Sequence, residues 1–291
     1  MPALARIPIR DLSAAHRTNM QGAIMRRFRA RALPPGRCLA PRRGLAAVLL
    51  LTLIAHAQAA PDKTPAADQA SGAMTSSPDY RALLADPIRS DEDRKADERR
   101  KPLELLRFAQ VQPGMKVLDV SAGGGYTTQL LALAVGPGGS VWAQMEKARS
   151  GFEKRLAAHP QVNIHTLVRP FADPYPAEAP RLDLITFILN YHDVANEPVD
   201  RAAMNRHLFE ALKPGGHLIL IDHAAQPGSG LRDTKSLHRI DETTVVDELQ
   251  QAGFVVEARS DFLRVPDDPR NQAFFDLQGP SDRFALRLRR P

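Results

Sequence analysis

Cysteine is almost absent from this chain. Of 291 residues only Cys38 carries a thiol, so an internal disulfide framework is excluded. Long apolar runs are also missing. The longest, "LAAVLLLTLIA" (45–55), has 11 residues and is too short for an ordinary membrane-spanning helix. A positively charged surface is missing as well, although the net charge is +6. Residues 1–59 hold ten arginines, no lysine and the single acid Asp11, which leaves 29 basic against 32 acidic residues beyond them. The basic excess belongs to the leader, so no nucleic-acid partner is expected.

The leader itself has three parts. "MRRFRARALPPGRCLAPRRG" (25–44) is cationic, 45–55 is apolar, and "AHAQAA" (55–60) offers small residues at A-x-A spacing. That order is the signature of a secretory signal peptide. It predicts cleavage near Ala57 to Ala60 and a periplasmic or secreted protein. The mature chain would then have no cysteine, no use for thiol catalysis and no membrane segment. Met20 and Met25 are alternative starts to Met1. Residues 60–79, rich in Ala, Pro and Ser, read as a flexible linker, and 80–291 as the folded domain.

Within that domain, "SDEDRKADERRKPLELLRFAQ" (90–110) reads as a helical cap over the domain's start. Ser90 is its N-cap, and Pro102 is a point where it splits. Strand-like runs then follow at 117–120, 139–145, 162–168, 182–190, 217–222, 254–259 and 283–289. Helical segments at 127–134, 150–159, 201–212 and 241–253 lie between them. This alternation predicts an α/β doubly wound sheet with ligands at the carboxyl ends of its strands.

"VLDVSAGGGYTTQLLA" (117–132) joins a strand to a helix through three glycines, a design that brings backbone close to a nucleotide-like ligand. No Gly-Lys-Ser/Thr follows Gly125, which excludes a Walker loop. The dinucleotide spacing fails at Thr128, and no acid closes the second strand at Met145. S-adenosylmethionine, with no phosphate, remains.

"VLDVSAGGG", "LNYHDV" and "LKPGGHLILIDH", in this order, resemble a class I S-adenosylmethionine-dependent methyltransferase. "RKPLELLRFAQVQPGMKVLDV" and "DHAAQPGSGLRDTKSLHRID" are similar, more narrowly, to an exported bacterial family of predicted methyltransferases. The resemblance covers roughly 80–290. It implies a Rossmann-like, mostly parallel sheet of seven strands whose last strand is antiparallel. It also implies that Asp119, Ser121, Ala122, Gly123 and Gly125 line the methionine end of the cofactor. Ser121 replaces a usual first glycine. Glu146 stands one residue beyond the position of the acid that holds the ribose, and Asp173 is a candidate for the adenine amine.

"NYHDV" (190–194) follows the fourth strand. Asn190 is assigned to the cofactor side, and Tyr191, His192 and Asp193 to the reacting side. His192 is the candidate proton acceptor and Asp193 its orienting partner. His223 reads as structural. Asp222, His223, His238 and Asp241 lack a compact ligand spacing, so no metal is expected. The partner expected is a small-molecule acceptor with an oxygen or nitrogen nucleophile. A non-catalytic cofactor-binding protein and a dinucleotide oxidoreductase are the alternatives. Oligomeric state is not legible.

Overall fold

The computed structural model describes residues 78–291. The segments expected to be a signal peptide and, for nearly all of its length, a linker lie outside the described residues. No described helix is long and apolar enough to cross a membrane.

Three helices precede the sheet: α1 (Tyr80–Leu84), α2 (Asp91–Arg100) and α3 (Pro102–Ala109). Ser90 caps α2 through a reciprocal capping box with Asp93, and three acids occupy its first turn, where they complement the helix dipole. Lys101 then takes a left-handed conformation, and Pro102 starts α3. The break predicted at Pro102 is therefore real: proline is accommodated as the first residue of a new helix.

The remaining order is β1 (Lys116–Val120), α4 (Tyr126–Val135), β2 (Ser140–Met145), α5 (Ser150–Ala158), β3 (Ile164–Val168) and β4 (Leu182–Ile188). There follow α6 (Tyr191–Val194), α7 (Arg201–Ala211), β5 (Leu212–His223), α8 (Glu242–Gln251), β6 (Val255–Ser260), a short 3-10 turn (Phe274–Asp276) and β7 (Arg283–Arg289). The seven strands lie in the order β3-β2-β1-β4-β5-β7-β6. The first five are parallel, and β7 inserts antiparallel between β5 and β6. This is the doubly wound, Rossmann-like sheet the sequence predicts, with its last strand antiparallel.

Apolar side chains fill both faces of the sheet. On one, Leu118, Phe187 and Leu220 pack with Leu208 of α7 and Leu249 of α8. On the other, Val117, Leu184 and Ile219 pack with Leu105 of α3 and Leu131 of α4. Burial on both sides explains why β4 reads as a continuous apolar run rather than an alternating one. Two of the differences from the sequence reading bear on the site. β5 begins at Leu212 and runs through "KPGG", where its pairing with β4 shifts register. "NYHDV" forms the short helix α6 instead of simply trailing the strand.

Candidate active site

The carboxyl ends of β1, β2, β4 and β5 share one edge of the sheet, since these strands are parallel. The turn after β1 is fixed from below by the buried Gln144 of β2. Its Oε1 accepts from the Ser121 amide at 3.0 Å, and its carbonyl accepts from the Ala122 amide at 2.9 Å. Gly123 and Gly125 have φ of +59° and +84°. They differ in what surrounds them. A Cβ on Gly125 would strike the Phe152 ring at 2.8 Å, so that glycine serves packing. A Cβ on Gly123 would meet only the Ser121 carbonyl, at 3.8 Å, and one on Gly124 nothing within 4 Å. The upper face of the turn is thus an open cradle of backbone.

Strain gathers at this edge. Ser121 at the β1 turn, Leu189 just after β4 and His238 in the segment after β5 all have positive φ. Left-handed backbone is costly for a leucine, and such residues cluster at binding sites.

The helical cap is tied to the turn. Arg155 of α5 forms a two-pronged ion pair with Asp93, at 2.6 and 2.8 Å, and donates to the Gly124 carbonyl at 2.7 Å. Tyr126 donates to Asp97 at 2.6 Å, and Arg89 pairs with the same carboxylate. Helix α2 is therefore fastened over the entrance to α4.

The residues expected at the cofactor site divide into two sets. Ser121, Ala122, Gly123 and Gly125 form the turn. Glu146 stands exposed directly after β2, while Met145 is buried against Phe152. Asn190 opens α6 and donates to Asp193 at 3.0 Å. Asp119, in contrast, lies beneath the turn. Its two oxygens accept from Thr128 at 2.6 Å and Thr186 at 2.8 Å, and burial raises its carboxyl to about 6. It supports the turn from below instead of facing a ligand. Asp173 is turned to Arg169, so its assignment to an adenine amine is not favoured by this geometry.

The reacting side is also rearranged. Tyr191 is fully buried, with its hydroxyl donating to Glu248 at 2.6 Å and accepting from Asn205 at 2.8 Å. Burial followed by the Glu248 charge pushes that phenol far up. Tyr191 locks α6 to α8 and is a structural residue, not a reacting one. His192 is held by Asp222, which accepts its backbone amide at 2.8 Å and Nδ1 at 2.6 Å. Its Nε2 lies 3.2 Å from Asp193. Burial opposes the charged ring, but the Asp222 and Asp193 carboxylates win and raise it to about 10. The carboxylate that orients the ring through Nδ1 is thus Asp222 and not the expected Asp193, which lies at Nε2 instead. His223 fits its structural reading: Nδ1 pairs with Ser281 at 2.7 Å, and the ring stacks on Phe274 at 3.9 Å. Burial, followed by the charges of His192 and Arg283, drops it to about 2.

A cavity of about 290 Å³ opens at the ends of β4 and β5, lined by Arg99, Arg100, Leu189, His223, Phe274 and Arg283 among others. None of the three arginine side chains pairs with a carboxylate among the described residues, and Arg283 Nε is buried without a partner. Burial, then the nearby Arg100 and Arg99, lower Arg283 to about 10. Sequence reasoning missed this trio because it joins α2 to β7 across the whole domain.

The family model for Protein-L-isoaspartate(D-aspartate) O-methyltransferase matches residues 100–257, more than half of the chain. The chain belongs to this methyltransferase family. The matched segment runs from the end of α2 to β6 and contains the glycine turn and the His192 cluster. Ubiquinone/menaquinone biosynthesis C-methyltransferases UbiE of Burkholderia multivorans and Burkholderia orbicola are 29% and 28% identical over 120 residues. The match covers 39% of this chain and 45% of each relative. The chain thus spans less than half the length of the curated relatives it matches. Among solved structures, a SAM-dependent methyltransferase from Aquifex aeolicus aligns with TM-score 0.50 and 21% identity, over 72% of this chain and 97% of that one. The [4+2]-cyclase SpnF aligns with TM-score 0.52 and 15% identity, over 71% and 84%. These two likenesses establish the fold; the second carries a different reaction name, so the fold alone does not fix chemistry.

Family membership makes S-adenosylmethionine the cofactor to test against the site. The fit is good. The open face at Gly123 and Gly124 is a cradle that a side chain would fill, and Glu146 supplies an acid at the end of β2.

Proposed function

We propose that this chain is an S-adenosylmethionine-dependent methyltransferase acting on an oxygen or nitrogen nucleophile of a small acceptor. The observation that carries the reading is the backbone cradle at Gly123 and Gly124, at the end of β1 in a chain of a methyltransferase family. When bound, the cofactor supplies a methyl group on a sulfonium centre. The turn from Ser121 through Ala122 and Gly123 to Gly124 would hold its amino-acid end and Glu146 its ribose, with Asn190 beside it and Gly125 seating the turn on Phe152. In-line displacement gains most from alignment of the reactants, and a turn pinned by Gln144 and clamped by Arg155 is suited to that task.

The arginine-lined cavity beside His223 and Phe274 is the acceptor's place in this reading. Guanidinium groups without a carboxylate partner, running from the exposed Arg99 through Arg100 to the buried Arg283, favour a carboxylate or phosphate on the acceptor, and the Phe274 ring offers an apolar wall. The leader adds the second element of the proposal: the enzyme acts after export, in the periplasm or outside the cell, with cleavage between Ala55 and Pro61.

Incubation with methyl-labelled S-adenosylmethionine and a small-molecule extract tests the activity. Label transferred to anionic acceptors, and lost on Arg283→Leu, supports the reading. Cofactor binding with no transfer to any fraction would favour a non-catalytic binding protein on the same fold. The mass of the protein from a fractionated cell tests the export claim, which an intact leader in the cytosol would overturn.

A further inference from the structure

We propose that His192, Asp193 and His238 form a binding site for a divalent first-row transition ion such as zinc. The three donors are His192 Nε2, Asp193 Oδ1 and His238 Nδ1, which all lie within 4.8 Å of one another. This proposal stands apart from the methyl-transfer reading and goes beyond it.

The two donor separations at Asp193 suit one shared ion. Asp193 Oδ1 is 3.2 Å from His192 Nε2 and 3.0 Å from His238 Nδ1. Donors at that separation, each about 2.0–2.1 Å from a common ion, subtend roughly 90–105° there. Such angles belong to tetrahedral or octahedral coordination. Two imidazoles and one carboxylate are a borderline donor set, matched to zinc and its neighbours rather than to calcium or magnesium.

The second observation concerns His192 itself. Its residue is 1% exposed, and Nε2 is buried with no aligned hydrogen-bond partner. A buried ring nitrogen whose nearest acceptor, Asp193 at 3.2 Å, is out of line is poorly satisfied and has a place for a further partner. The opposite nitrogen is already in use. Nδ1 meets Asp222 at 2.6 Å, and Asp222 is fully buried. A carboxylate behind a histidine in this way fixes the ring and aims its free nitrogen at a metal.

His238 is also brought to its place with effort. It carries a left-handed backbone with φ of +51°. On one side of it, Arg239 is fully buried and fastened to Asp268 at 2.8 and 3.1 Å, and to the Ala224 and Gln272 carbonyls. Beyond it, the Ile240 amide donates to the His223 carbonyl at 2.9 Å. These anchors hold a strained histidine against Asp193, forty-five positions away in sequence. The Asp193 and His238 side chains remain 43% and 36% exposed, which leaves a path for an ion and for water in its open positions. The sequence-level candidates Asp222 and Asp241 are not ligands here. Asp222 serves His192, and Asp241 caps α8 and accepts from the Gly228 amide at 2.7 Å.

The experiment uses the full chain after chelator treatment. Zinc is titrated by calorimetry in competition with a chromophoric chelator, and cobalt(II) is used as a visible-absorption probe. The wild-type chain is expected to take up one tight equivalent and to develop cobalt bands. His238→Ala and Asp193→Asn should each weaken zinc binding at least about tenfold and remove the bands, and Asp222→Asn should weaken it by about 10–100-fold. Far-UV circular dichroism and S-adenosylmethionine affinity are measured on the same samples. Equal zinc affinity in wild type, His238→Ala and Asp193→Asn, with the fold retained, overturns the proposal. So does a wild-type chain that binds neither ion, in which case Asp193 is simply hydrogen-bonded between two imidazoles. Cofactor binding is read separately, so the metal site can fail without the methyltransferase reading failing, and the reverse.

Discussion

The Asp222 carboxylate grips His192 twice, at the backbone amide and at Nδ1, with both side chains shut off from solvent. The end of β5 thereby sets the start of α6 and the orientation of the ring. Removing one partner of a buried ion pair leaves the other uncompensated, at a cost of about 3–5 kcal/mol. Asp222→Asn should therefore shift the urea midpoint markedly downward. An unchanged midpoint would mean that α6 is held by Tyr191 and Glu248 alone.

Asp119 gives a pH signature. Its carboxyl is raised from 3.8 to about 6 in the fold, by burial that outweighs the Thr128 and Thr186 hydrogen bonds. A raised folded value favours the protonated form. The stability this group contributes is complete below its unfolded value and is lost as pH rises through about 6. A shift of roughly two units corresponds to about 3 kcal/mol. Asp119→Asn should lack this loss, so its stability relative to wild type should increase between pH 4 and pH 7. Parallel stability curves for the two proteins over that range would show that Asp119 keeps an ordinary carboxyl.

Arg155 is the rivet between cap and turn. It links Asp93 of α2 to the Gly124 carbonyl, and Asp93 is nearly fully buried. Arg155→Ala should destabilise the chain by about 3 kcal/mol, since it strands a buried carboxylate, and should weaken cofactor binding by loosening the turn. Limited proteolysis should then cut first within α2. If α2 resists protease as in wild type, the cap is held through Tyr126 and Asp97 instead.

Much of the fold was legible because it rests on local signals. The glycine turn, the Ser90 cap, the Pro102 break and the doubly apolar β4 are each written within a few residues, and each appears where the pattern puts it. The site was legible only as far as it is local. Ser121 to Gly125 could be read as a backbone turn. The facing of side chains could not. Asp119 and Tyr191 sit in motifs that suggest ligand and reaction, yet the register of β1 on β4 and the docking of α6 on α8 turn both inward. Asp222 was visible beside His223, but its partner is His192, thirty positions away. The pairing depends on β4 and β5 ending side by side. His238 joins the cluster through a strained loop whose course is set by Arg239 and Asp268, contacts that no short window of sequence contains.

The central claim is that the open glycine turn holds the cofactor, and calorimetric titration with S-adenosylmethionine tests it most directly. Gly123 has left-handed backbone and empty space where a side chain would stand. Gly123→Val would fill that space but also strain the backbone, so Gly123→Asn, which tolerates this conformation, is measured beside it. The account predicts saturable one-to-one binding in the wild-type chain, and a loss of affinity of at least about tenfold in both variants with unchanged circular dichroism. Wild-type affinity in a folded Gly123→Asn, or no binding to the wild-type chain at all, would contradict it.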